Sequence, residues 1–209
     1  MRKLTGTGLV ATAAVALAVG LGATSSVATT ATTWTVQPGG SITGKASHPT
    51  LEDTATGTVV TCQKMTTAGS AKSGGGLTNP LGRVTSVRFT TCTGPAGVAL
   101  TVTASASKTR PWPLDALTYS SGVTHGKLHG IMGGLSGAGC TATVAGPIAT
   151  TPGTVSGTYT NSTHVLKASD GNLHIWNVSS GCLSLAHNGD PAILRGNVTI
   201  TPGLTITSP

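Results

Sequence analysis

The chain has 209 residues and a formal charge of +7, yet only 8% of its residues are charged and 3% aromatic. Low charge beside 38% hydrophobic residues argues against a disordered chain, and this length suffices to bury roughly 70% of the unfolded surface. The basic residues stand singly, from Lys45 to Arg195, with few aromatics among them, which argues against a nucleic-acid surface.

Residues 1–28 have the three parts of a secretory signal. Arg2 and Lys3 are followed by an apolar run, Leu9 to Leu21, and then by small residues with Ser26 and Ala28 at the −3 and −1 positions of a cleavage site. The expectation is export to a compartment where disulfides persist. Residues 29–209 are read as one all-β domain, with a possible internal boundary near 108–114 in Lys108-Thr109-Arg110-Pro111-Trp112-Pro113-Leu114. Two prolines there argue against regular pairing and place Trp112 in a loop. No second apolar run reaches the ~20 residues that span a bilayer.

Beyond residue 33 the pattern has period two. Trp34–Val36, Thr58–Cys62 and Val84–Thr91 are short strand candidates. Val98, Leu100, Val102 and Ala104 alternate with small or hydroxyl-bearing residues. Cys140–Ala145, Val155–Thr160 and Leu194–Thr201 follow the same rule, and Leu173–Val178 is a further candidate. Turn signals separate them: Pro38-Gly39-Gly40, Gly74-Gly75-Gly76, Gly94-Pro95, Gly133-Gly134, Pro152-Gly153, Asp170-Gly171, Asn188-Gly189 and Pro202-Gly203. Threonine, the commonest residue, suits the exposed side of a pleated sheet. No window favours a helix after the signal. The predicted fold is an antiparallel β-sandwich or a partly closed β-barrel.

Four cysteines, Cys62, Cys92, Cys140 and Cys182, predict two disulfides. Three connectivities exist, and Cys62–Cys92 with Cys140–Cys182 is favoured because each pair encloses a compact run of strands and turns. No two cysteines stand at zinc-finger spacing, and no cofactor or metal is predicted.

The segment His125-Gly126-Lys127-Leu128-His129 has helical metal-ligand spacing, but its glycine flanks favour a strand, on which the two imidazoles lie roughly 13 Å apart. Glu52 and Asp53, as strand neighbours, point to opposite faces. Asp170 and Asp190 sit beside glycine, where Asp often bonds local backbone. Gly134-Leu135-Ser136-Gly137-Ala138 approaches a nucleophile elbow but has Ala where Gly is required. The hydrolase reading gains if two of His125, His129, His174 and His187 converge with Asp115 or Asp190 in one cleft. The sequons at Asn161, Asn177 and Asn197 carry nothing in a bacterial source.

Trp34–Gly40, Phe89–Pro95, Leu135–Ala145 and Gly171–Ile175 followed by Cys182 resemble secreted actinobacterial proteins of unknown function. The resemblance implies an extracellular protein and supplies no catalytic residues. The expectation is a non-enzymatic extracellular or cell-surface binding or structural module. Its partner would be a cell-wall or other extracellular polymer, and no nucleic-acid partner is expected. The alternatives are a small His/Asp hydrolase and a secreted inhibitor or ligand carrier. The last would show a protruding Arg110–Pro113 loop or an apolar cavity.

Overall fold

Hydroxyl and apolar side chains taking turns along the chain become strands almost everywhere in the computed structural model, which describes residues 33–208. The expected signal, residues 1–28, lies outside them. The strands are β1 (Trp34–Gln37), β2 (Gly40–Ser47), β3 (Thr50–Asp53), β4 (Val59–Ala71), β5 (Gly74–Leu77), β6 (Gly82–Thr93), β7 (Ala99–Ala104) and β8 (Trp112–Ser120). The second half adds β9 (Val123–Ile131), β10 (Gly133–Gly137), β11 (Cys140–Ala145), β12 (Gly153–Thr160), β13 (Val165–Gly171), β14 (Leu173–Trp176), β15 (Asp190–Thr201) and β16 (Thr205–Thr207). Two short 3-10 turns complete them, and no α-helix occurs among the described residues.

The topology is an antiparallel barrel rather than a sandwich. Several strands are halves of one bent strand. β2 and β3 both lie between β4 and β15, and β13 and β14 both run along β15. β11 and β12 likewise both run along the β13–β14 line, while β9 and β10 continue each other between their neighbours. Counted this way, eight long strands follow one another in sequence order, each bonded to the next. The last, β15, closes the ring by pairing with β13 (Asn197 opposite Lys167) and with β2 (Ile200 opposite Gly44). Closure removes the edges that make so β-rich a chain prone to pair with others.

The wall has one seam. β6 meets β8 only at Gly82–Val84 and β7 only at Cys92–Thr93, so its centre is bonded to β4 alone. Residues 105–111 loop out between β7 and β8 at this seam. Trp112, expected in a loop, instead opens β8 and is buried, and Pro113 pairs with Arg83. A proline is tolerated there because the strand is only beginning and its neighbour is incomplete. Three expected turns are also strand. Gly74–Gly76 lie in β5, Gly133–Gly134 begin β10, and Asp170–Gly171 end β13.

Gly133, Gly157 and Gly171 are needed for close strand approach, whereas Gly74–Gly76 leave room for a Cβ. A Cβ on Gly157 would meet the carbonyl oxygen of Lys167 on β13, next to a register shift between Ser156 and Gly157. Such kinks let a twisted sheet coil into a barrel.

One end of the barrel is stoppered. β1 pairs with β16 and β5, a small sheet built from the described N-terminal segment, the β4–β6 connection and the C-terminal segment. It drops Trp34, Val36, Leu204 and Ile206 onto Ala46, Met65, Val198 and Ile200. Side chains of β12 and its following turn bind the last segment in the manner of a strand. The Tyr159 hydroxyl donates to the Leu204 carbonyl (2.8 Å) and accepts from its amide (2.9 Å), and the Asn161 amide does the same for Ile206. The opposite end carries four connections, residues 54–58, 94–98, 138–139 and 177–189.

Gly157→Ala should destabilise the fold by about 1–3 kcal/mol through forced strand separation. Gly75→Ala, whose Cβ would find only Thr35 Oγ1 at 3.4 Å, should be far milder. Urea denaturation of both variants checks this. Burial raises the Tyr159 pKa above 10.0, with the Leu204 bond opposing. The folded state favours the neutral phenol, so its contribution is present below 10.0 and fades as pH rises through the raised value. Tyr159→Phe should cost about 1–3 kcal/mol at neutral pH and flatten that alkaline loss, read from denaturation at neutral and alkaline pH.

Candidate functional site

Inward positions along the barrel are apolar but frequently small, and they do not fill it. A cavity of about 170 Å³ lies in the interior, with walls drawn from nearly every strand, among them Phe89, Val102, Trp112, Leu128, Leu166 and Val198. Alanines at Ala104 and Ala168 stand where larger residues would close it, and Gly126, Gly133 and Gly157 line it where a Cβ would meet a carbonyl oxygen of the neighbouring strand. The lining is almost wholly apolar. Trp112, one of the lining residues, is only 5% exposed, and its indole Nε1 is buried without a hydrogen-bond partner. Trp112 stands at the seam beside β6.

A second cavity, about 240 Å³, occupies the loop end. It is bounded by the four connections, with Leu51 and Val60 forming a wall shared with the interior cavity. Val98, Leu183 and Leu185 line it while remaining exposed to solvent. Leu183 is 81% exposed and holds a left-handed backbone (φ 53°), a conformation costly for a branched side chain. Two constraints hold that segment: the Cys140–Cys182 disulfide ties it to β11, and Thr56 Oγ1 donates to the Leu185 carbonyl (2.9 Å).

Asp53 sits at the inner edge of this cavity and is 2% exposed. Its Oδ1 accepts the amides of Ala55 (2.9 Å) and Thr56 (3.1 Å), shaping the turn into β4. Its Oδ2 is buried and unpartnered. Glu52 points outward to Arg195, as strand alternation requires.

The disulfides are Cys62–Cys92, directly cross-strand between β4 and β6, and Cys140–Cys182, the predicted pairing. His125 and His129 lie on β9 with outward side chains, as the strand reading requires. His129 Nε2 comes within 3.0 Å of Asp115 Oδ2 without hydrogen-bond alignment. His187 meets Asp190 at 3.3 Å in the loop before β15, and Asp190 also accepts the His187 amide. His174 faces the Asn172 carbonyl and stacks on Trp176. Each of these acids thus meets one histidine, on separate elements, and no two of these histidines converge with Asp115 or Asp190 in one cleft. Asp170 bonds the Gly171 amide, the expected local role. Ser136 lies within β10, not on a strand-to-helix elbow. Among the described residues no group of three or more His, Cys, Asp or Glu converges to hold a metal ion. Arg110–Pro113 does not protrude as a unit, since Trp112 is directed inward.

Both cavities escaped the sequence reading. Inward Gly and Ala signal a void only when all eight strands are known. The outward face carries Lys64, Arg88, Lys127 and Arg195 where a membrane-spanning barrel carries an apolar band. Among the described residues no helix is long and apolar enough to cross a membrane. Comparison with protein-family models, curated proteins and solved structures finds no match.

Removing the loop-end tie with Cys140→Ser/Cys182→Ser opens a closure of 42 residues, worth roughly 4 kcal/mol by chain entropy. Hydrogen exchange should quicken across residues 177–189 and stay slow in β9 and β12.

Proposed function

We propose that this protein is an extracellular, non-enzymatic binding module that carries a small apolar molecule inside its barrel. The observation that supports it best is the unfilled interior. Protein cores pack as densely as organic crystals, and an apolar void forfeits dispersion contacts that a ligand would restore. Apolar cavities of about 150 Å³ stay dry and take up benzene or xenon, and this one is of similar size. The unpartnered Trp112 N–H favours a ligand with one acceptor, such as a carbonyl or ether oxygen. The seam between β6 and β8 is the break in the wall through which it would pass. Export rests on the signal-like residues 1–28, and the two disulfides are compatible with it. An actinobacterial source, from the sequence resemblance, belongs to the same proposal.

Titration with benzene and with acetophenone, followed by NMR, tests the reading. Methyl resonances of Leu128, Leu166 and Val198 should shift with both, and the Trp112 indole N–H with acetophenone alone. Ala104→Leu should abolish both responses while leaving the fold as stable or more so. Unchanged methyl spectra at saturating ligand would contradict the proposal.

A further inference from the structure

We infer that the loop-end cavity is a second binding site, which selects a small molecule with an apolar body and a cationic amine head held by Asp53. Three independent features meet there. First, the cavity is walled by apolar residues and rimmed by exposed leucines, Leu183 and Leu185, that offer apolar contact from bulk water inward. Among the described residues, four of the six large hydrophobic side chains left exposed, Val59, Val98, Leu183 and Leu185, stand at this end of the barrel. Second, Asp53 is the only ionisable residue among the described residues of the lining, so no described Lys, Arg or His pairs with it inside the cavity. Third, its two oxygens are used unequally. Oδ1 is committed to the Ala55 and Thr56 amides, while Oδ2 is buried with no donor.

A buried carboxylate oxygen without a donor carries a desolvation penalty that no described residue offsets. An alkylammonium supplies both the missing donor and the opposite charge, and charge-assisted bonds are the stronger kind. An alcohol supplies the donor without the charge. A carboxylate supplies neither and is repelled. The order amine, alcohol, acid is therefore the signature of Asp53. A water molecule on Oδ2 would produce no such order.

This site does not rest on the interior cavity, and the two fail separately because different resonances report them. The full chain, unsubstituted, is titrated with n-hexylamine, n-hexanol and n-hexanoate and followed by amide NMR. Hexylamine should bind about tenfold tighter than hexanoate, with hexanol between them, and should shift Ala55, Thr56, Ala138 and Ala186. Asp53→Asn, which keeps the turn-forming Oδ1, should reduce the amine-to-acid ratio to near one. Equal affinities for the three heads, shifts confined to interior residues such as Leu128 and Val198, or a preference that survives Asp53→Asn would each overturn the inference. The comparison on the unsubstituted protein decides the matter even where the variant does not fold.

Discussion

Everything in this protein depends on β15 being bonded on both flanks. On one side it runs along β14 and then β13, and on the other along β3 and then β2. Without both sets the sheet would be open, with long Val- and Thr-rich edges free to pair with other chains. With both, the inward faces enclose a space, and the contents of that space become the main question about function. The stopper sheet depends on the same closure, since Leu204 and Ile206 reach Tyr159 and Asn161 only because β15 has brought the chain back to β12's end of the barrel.

Closure also explains the composition. An eight-stranded barrel has an interior just wide enough for side chains to fill. Large inward residues at every position would close this one. The chain instead alternates Trp112, Phe89 and Leu128 with Gly126, Gly157 and Ala104. Some of these glycines are required by the wall itself, because neighbouring backbones pass too close for a Cβ. The void is thus partly a consequence of how the barrel coils. Four buried side-chain polar atoms among the described residues lack a partner, and two of them belong to cavity residues: the donor Nε1 of Trp112, which lines the interior cavity, and the acceptor Oδ2 of Asp53, which lines the one at the loop end.

How much was legible in the sequence follows from the same physics. β11, β12 and β15 are plain because Val144, Val155 and Val198 alternate with hydroxyls. β2 and β10 are hidden because their inward positions include Gly44 and Gly133, which interrupt the apolar alternation, and Gly133-Gly134 reads as a turn; part of β9 is legible, since the glycines around His125 and His129 favour a strand. β5 is hidden for the same reason: its three glycines read as a turn, yet Gly74 and Leu77 pair with Val36 and Trp34 of β1. The disulfide pairing was legible from enclosure of compact segments. The His–Asp pairs were legible as residues but not as partners, since Asp115 meets His129 only through the β8–β9 register. Asp53 was placed correctly opposite Glu52 in facing, yet nothing in its neighbours signals that one of its oxygens lacks a donor.

The central claim is closure, and cross-strand nuclear Overhauser contacts test it most directly. Two sets are decisive: β13 to β15 at Lys167 and Asn197, and β15 to β2 at Ile200 and Gly44. Both should be present in one sample of the monomer. If either set is missing while the other strands remain paired, the barrel is an open sheet and the enclosed sites described above do not exist.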